Sequence, residues 1–103
     1  MSLTLHQDPQ SSLLRLEGTF TYESHTAFRT ATQALLDRPG TQRLLLDMSN
    51  LTYMDSSSLG MLLLLREKAE VNNIKVVLIK PSSMVMTILK VVRFGKLFEI
   101  QED

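Results

Sequence analysis

The chain has 103 residues, 44% of them hydrophobic, with 11 Lys and Arg balanced by 11 Asp and Glu. That length suits a single compact domain, residues 1–103, and the absence of cysteine excludes disulfides and thiolate metal sites. His6 and His25 do not sit in a metal-ligand spacing, and zero net charge without a basic cluster argues against nucleic acid as a partner.

In chain order, SLTLHQ and SLLRLEG alternate apolar and polar residues on either side of DPQS. This predicts two paired strands with Leu3, Leu5, Leu14 and Leu16 facing inward, the second ended by Gly18. MSLTLHQDPQ has neither the charged start nor the long apolar stretch of a signal peptide. From about Ser24 to Leu36, Ala27, Phe28, Ala31, Ala34 and Leu35 recur at helical spacing, and Pro39-Gly40 stops the helix. RLLLDMS is a nearly continuous apolar run, the pattern of a strand covered on both faces.

Next comes YMDSSSLG, residues 53–60, then a helix to about Val71 and a turn at Asn72-Asn73. IKVVLIK predicts a second doubly buried strand. Pro81-Ser82-Ser83 opens a third helix to about Arg93, and KLFEI supplies a last short strand. The order ββαβαβαβ places the chain in the α/β class, with one mixed open sheet and covering helices. No apolar stretch approaches the ~20 residues of a membrane span. The expectation is a soluble cytoplasmic domain with no direct membrane insertion, monomeric by default and without a cofactor.

The apolar residues of the second helix fall on several faces. Met61, Leu62, Leu65 and Ala69 share an arc that predicts the buried side. Leu59 and Leu63 lie on another face between Arg66 and Glu70, a candidate apolar partner patch beside the serines. Met84, Met86, Ile88 and Leu89 read as core filling with one exposed methionine.

In open α/β sheets, loops at the carboxyl ends of parallel strands host the chemistry. YMDSSSLG is placed as such a loop, feeding the start of a helix. Asp55, Ser56 and Ser57 are all competent N-caps, so one of the serines is expected to cap. One cap does not account for three hydroxyls. A nucleophilic serine needs a positioned base, and no G-x-S-x-G elbow is present. A nucleotide-binding domain lacks its Gly-rich loop and P-loop lysine here. Asp47 and Asp55 have no second motif that would make them an acid–base pair. Phosphorylation fits better, because a helix N-terminus tolerates added negative charge. The chain is not expected to be an enzyme.

The stretch L-D-M-S-N-L-T-Y-M-D-S-S-S-L-G-M resembles the STAS-domain signature of bacterial anti-sigma factor antagonists, roughly D-x-S, five to six residues, then D-S-[ST]-G-L-G. ILKVVRFGKLFEI resembles that family's closing helix and strand, and the element order matches over the whole chain. The resemblance implies a partner switch. The unphosphorylated protein binds an anti-sigma factor, often itself a serine kinase. Phosphorylation breaks the complex, and a PP2C-type phosphatase resets it. By position, Ser57 takes the phosphorylated place, with Ser56 and Ser58 as neighbouring alternatives. Asp47, Ser49, Asp55 and Gly60 match the other motif positions. Related readings are a STAS subunit docking on the ATPase of an ABC transporter in lipid traffic, or a switch for a secretion or motility regulator.

This chain departs from the pattern in three places. Ser58 replaces a glycine. Arg93 replaces a helix-ending glycine, leaving Gly95 as the expected cap. Gly18-Thr19-Phe20-Thr21 replaces G-E-L-D, with extra residues around Tyr22–Ser24 that suggest a different partner.

Overall fold

The computed structural model describes residues 2–102. Strands β1 (Leu3–Gln7) and β2 (Leu13–Phe20) pair antiparallel. Asp8 organises the turn between them by accepting the Gln10 N–H and the Ser11 hydroxyl. Contrary to the expectation from sequence, β2 does not end at Gly18. Gly18 adopts φ +94°, and a Cβ there would collide with the Ser2 carbonyl oxygen. The glycine therefore forms an irregularity that lets the strand continue, and the register against its next neighbour shifts beside it.

Strands β3 (Arg43–Met54), β4 (Lys75–Ile79) and β5 (Glu99–Gln101) add in parallel, giving one sheet in the order β1-β2-β3-β4-β5. Helices α1 (His25–Asp37), α2 (Ser56–Val71) and α3 (Ser83–Val91) form the crossovers, with short 3₁₀ turns at Tyr22–Ser24 and Phe94–Lys96. The order is ββαβαβαβ, as the sequence predicts, in an α/β fold with one mixed sheet.

The core lies on one face of that sheet. Leu14, Leu16, Leu44, Leu46, Val76 and Leu78, alternate residues of three strands, share a single cluster with the inner residues of all three helices. Both faces of β3 and β4 are expected to lie under helices, but helices cover only this one. The other face carries polar contacts: Arg15 pairs with Glu17, His6 Nε2 lies 3.2 Å from Glu17, and Arg43 and Lys75 pair with Glu99. β4 lies between Arg43 and Glu99, so that pair bridges over it and shields Val77. Charged pairs with apolar stems do there what a helix layer would otherwise do.

The inner faces follow the periodicity with one substitution. On α1 the buried residues are Phe28, Thr32, Leu35 and Leu36, while Ala27 and Ala34 are exposed. Thr32 can be buried because its hydroxyl donates to the Phe28 carbonyl at 2.8 Å. On α2, Leu62, Leu65 and Ala69 are buried and Met61 is half-buried. On α3, Val85 and Leu89 face the core and Met84 is exposed.

Gly95 does not cap α3. Arg93 itself takes the left-handed conformation, φ 59°, ψ 37°, and the chain enters the Phe94–Lys96 turn directly. Among the described residues, no helix is long and apolar enough to cross a membrane.

Candidate switch site at the start of helix α2

β3 is longer than RLLLDMS. Its first half pairs with β4 as far as Asp47, opposite Ile79. Beyond that point β2 holds one side of the strand up to Met54. On the other side Ser82, the N-cap of α3, donates its N–H to the Met48 carbonyl and its hydroxyl to the Leu51 carbonyl, at 3.3 and 2.7 Å. With their backbone partnered in this way, Ser49–Met54 stay extended, and the predicted loop shrinks to Asp55 alone.

Asp55 is the N-cap of α2, in extended backbone at φ −109°, ψ −178°. One carboxylate oxygen accepts the Ser58 N–H at 2.9 Å, and the other accepts the Tyr22 N–H at 3.2 Å. Of the candidate caps Asp55, Ser56 and Ser57, the acid holds the position, as expected of Asp55, and none of the three serines caps the helix.

The three hydroxyls have three environments. Ser58 is fully buried, and its hydroxyl donates to the Asp55 carbonyl at 2.7 Å. A side chain replaces glycine there without strain, and in this fold its hydroxyl is turned inward, away from the surface that Ser56 and Ser57 share. Ser56 is exposed and Ser57 is half-buried. Neither hydroxyl has a hydrogen-bond partner among the described residues, and no serine here is bonded to a histidine. His25 instead stacks on Tyr22, the ring centroids 6.3 Å apart.

Asp47 and Ser49 are engaged with each other, not with the serines. One Asp47 oxygen accepts both the N–H and the hydroxyl of Ser49, at 2.9 and 2.8 Å. Eight positions of strand separate Asp47 from Asp55, about 25 Å at the rise of an extended chain. The pair marks the point where β3 parts from β4.

Leu59 packs against the core, whereas Leu63 and Gly60 are exposed. At 3.6 residues per turn, Ser57 and Leu59 point about 160° apart. Leu59 is therefore opposite Ser57 and not beside it, whereas Leu63 lies about 120° round the helix from Ser57 with exposed Gly60 between them, next to Arg66, which bonds Glu70 and the Leu97 carbonyl. Two exposed aromatics near the site carry no signal in the sequence beyond their type: Tyr22, 70% exposed, and Tyr53. Tyr22 is brought in by its backbone N–H, which no sequence pattern announces.

Among the described residues, no group of three or more His, Asp or Glu could hold a metal ion. Residues 3–100 match the family described as "Mlab, STAS domain". A STAS-domain containing protein of Pseudomonas aeruginosa (strain UCBPP-PA14) is 39% identical over 93 residues, which cover 90% of each chain. Two solved anti-sigma factor antagonists share the fold. The one from Mycobacterium paratuberculosis has a TM-score of 0.74 at 17% identity, over 99% of this chain and 86% of that one. SpoIIAA in its unphosphorylated form has 0.72 at 18%, over 99% and 89%. With a family match spanning nearly every residue and a close relative over nine-tenths of its length, this chain belongs to the STAS-domain family.

Proposed function

We propose that the chain is a phosphorylation-switched regulatory binding protein. With Ser57 unmodified it holds an anti-sigma factor or serine kinase; phosphorylation of Ser57 releases that partner, and a PP2C-type phosphatase restores binding. The observation that carries this reading is how the neighbouring side chains are used. Asp55 caps α2, Ser58 is buried, and Ser57 keeps a part-exposed hydroxyl with no partner among the described residues. Capping therefore does not explain Ser57. Ser56 has a similar hydroxyl, and the resemblance to the D-S-[ST] motif favours Ser57.

A phosphate adds about −1.5 to −2 charges. The first-turn N–H groups and the helix dipole accommodate it, so α2 has no need to refold. Against an acidic partner surface, each like charge at 4 Å costs about 1 to 4 kcal/mol. That range corresponds to roughly tenfold to thousandfold weaker binding. Asp47 lies too far along the strand to contribute. In this reading the partner contacts the exposed side of α2 around Ser57, Gly60 and Leu63, with Tyr22 and Tyr53 at its edge.

The test is affinity capture with wild type, Ser57→Ala and Ser57→Asp, each followed by intact-mass analysis. The switch requires a phosphoform absent from Ser57→Ala, and a partner kept by Ser57→Ala but lost by Ser57→Asp. The partner's identity then separates a sigma pathway from secretion or motility control. Identical partners and no phosphoform would instead favour a docking subunit on an ABC transporter's ATPase.

A further inference from the structure

We propose that the groove between α1 and α2 is a docking site for an acidic amphipathic helix of a partner protein. Occupancy of the groove stands apart from the reading of Ser57; only release by phosphate rests on it.

The groove follows from the spacing of α2. Ser57, Met61, Leu64, Lys68 and Val71 recur every three or four residues, so they share one flank. The core takes Leu62, Leu65 and Ala69, so a run of four leucines must turn two outward, and Leu64 is the one that reaches the groove. Leu64 is 46% exposed and Val71 82%. Across from Met61, Leu64 and Lys68, α1 contributes buried Phe28 and Thr32 to the floor of the groove and His25 and Arg29 to its rim.

Shape and charge together select the occupant. The hollow between the helices is about 30 Å³, and its continuation past Arg29 and Lys68, about 530 Å³, lies open to solvent, so neither encloses a ligand as a small-molecule cleft does. The groove is a shallow trough repeating along both helices, the geometry that receives a helix through anchors at three- and four-residue spacing. Arg29 and Lys68, one from each helix, line both this hollow and its open continuation. Neither forms an ion pair among the described residues, and what sets them apart from the other unpaired cations is that they face one another across this trough. Two cations facing one trough favour a carboxylate between them. The occupant that satisfies both features is a helix with apolar residues at three- and four-residue spacing and Glu or Asp on the same side.

Ser57 heads the same flank, one turn before Met61. A phosphate there sets negative charge at the end of the trough and opposes the acidic helix that Arg29 and Lys68 attract.

The experiment places p-benzoylphenylalanine at position 64 of the full chain, or at position 91 on α3 as a control, and irradiates cells that produce it. Captured segments are then sequenced by mass spectrometry. The expected product, specific to position 64, is a segment rich in Glu or Asp with apolar residues at three- and four-residue spacing. Arg29→Glu and Lys68→Glu should each lower its yield about tenfold, without lowering the melting temperature. Four results overturn the proposal: no product beyond that of position 91, a segment without acidic residues, a second copy of this chain, or a yield indifferent to both charge reversals. Adding Ser57→Asp separates the two readings. If Lys68→Glu removes the product and Ser57→Asp leaves it, the groove stands and the switch fails.

Discussion

The backbone N–H of Tyr22 donates to one oxygen of the Asp55 carboxylate at 3.2 Å, while the other oxygen holds the start of α2. One side chain thus fastens the turn after β2 to the helix after β3. Asp55→Ala removes a cap, costing about 1–2 kcal/mol, together with the tie to Tyr22. The expected sum of about 2 kcal/mol lowers the melting temperature by about 8–16 °C. Asp55→Asn keeps an acceptor and should lose less than half of that. Equal losses in thermal melts would mean that the carboxylate's charge matters, and not its capping geometry.

Gly18 and Gly40 both have positive φ, at +94° and +81°, but only Gly18 has backbone where a Cβ would go. Gly40→Ala therefore meets conformational strain alone, about 1–2 kcal/mol. Gly18→Ala adds a collision with the Ser2 carbonyl and should cost clearly more in urea titrations. Equal midpoints would show that the start of β1 gives way freely.

Glu99 receives Lys75 at 2.8 Å and Arg43 at 3.2 Å. The hydrogen bonds from Lys75 and then from Gln101 hold its carboxyl below the ordinary value of 4.5; desolvation opposes them, and the charges of Lys75 and Arg43 add smaller lowering effects. A depressed folded-state value means the stabilisation is complete above the unfolded value and lost as pH falls through the folded one. Wild type should therefore exceed Glu99→Gln in urea midpoint at neutral pH, and the gap should close as the pH drops below about 4.5. A gap that is constant with pH would assign the effect to packing of the side chain.

Element order is legible in the sequence where local signals agree. Leu14 and Leu16 alternate into the core, and Asn72-Asn73 ends α2 with Asn73 at φ 56°. The extent of β3 is not legible. Ser49, Asn50 and Thr52 read as loop residues, and they stay extended because Gly18–Phe20 and Ser82, distant in sequence, bond to that stretch. The single-faced core was hidden for a similar reason, since on the face where Val77 is buried β4 is spanned by the Arg43–Glu99 ion pair and not by a helix. At the candidate site, the motif names Asp55 to Ser58 but not their division of labour. That depends on the residue at which α2 starts, and a shift of one would exchange cap, exposed hydroxyl and buried hydroxyl.

Arg93 is non-glycine in the left-handed region, which costs about 1–2 kcal/mol. Glycine relieves this but gives back about 0.4–1 kcal/mol through the freer unfolded chain. Arg93→Gly should therefore gain about 0.5–1 kcal/mol, raising the melting temperature by about 2–8 °C. No gain would indicate that the arginine side chain offsets its own backbone strain through contacts.

Gly60 lies in the second turn of α2 with nothing within 4 Å of where a Cβ would stand. The fold does not require glycine there, and Gly60→Ala should stabilise the helix by up to about 1 kcal/mol. On the proposed partner surface the missing side chain has a use, because it lets another backbone come close. Gly60→Ala should then melt higher yet bind its partner more weakly, a separation that no folding defect produces. Leu63→Glu should abolish binding with the far-UV CD spectrum and melting temperature nearly unchanged, since Leu63 is exposed. Leu59→Glu should destabilise, since Leu59 packs on the core. Wild-type partner binding by both Gly60→Ala and Leu63→Glu would move the contact surface off this side of α2.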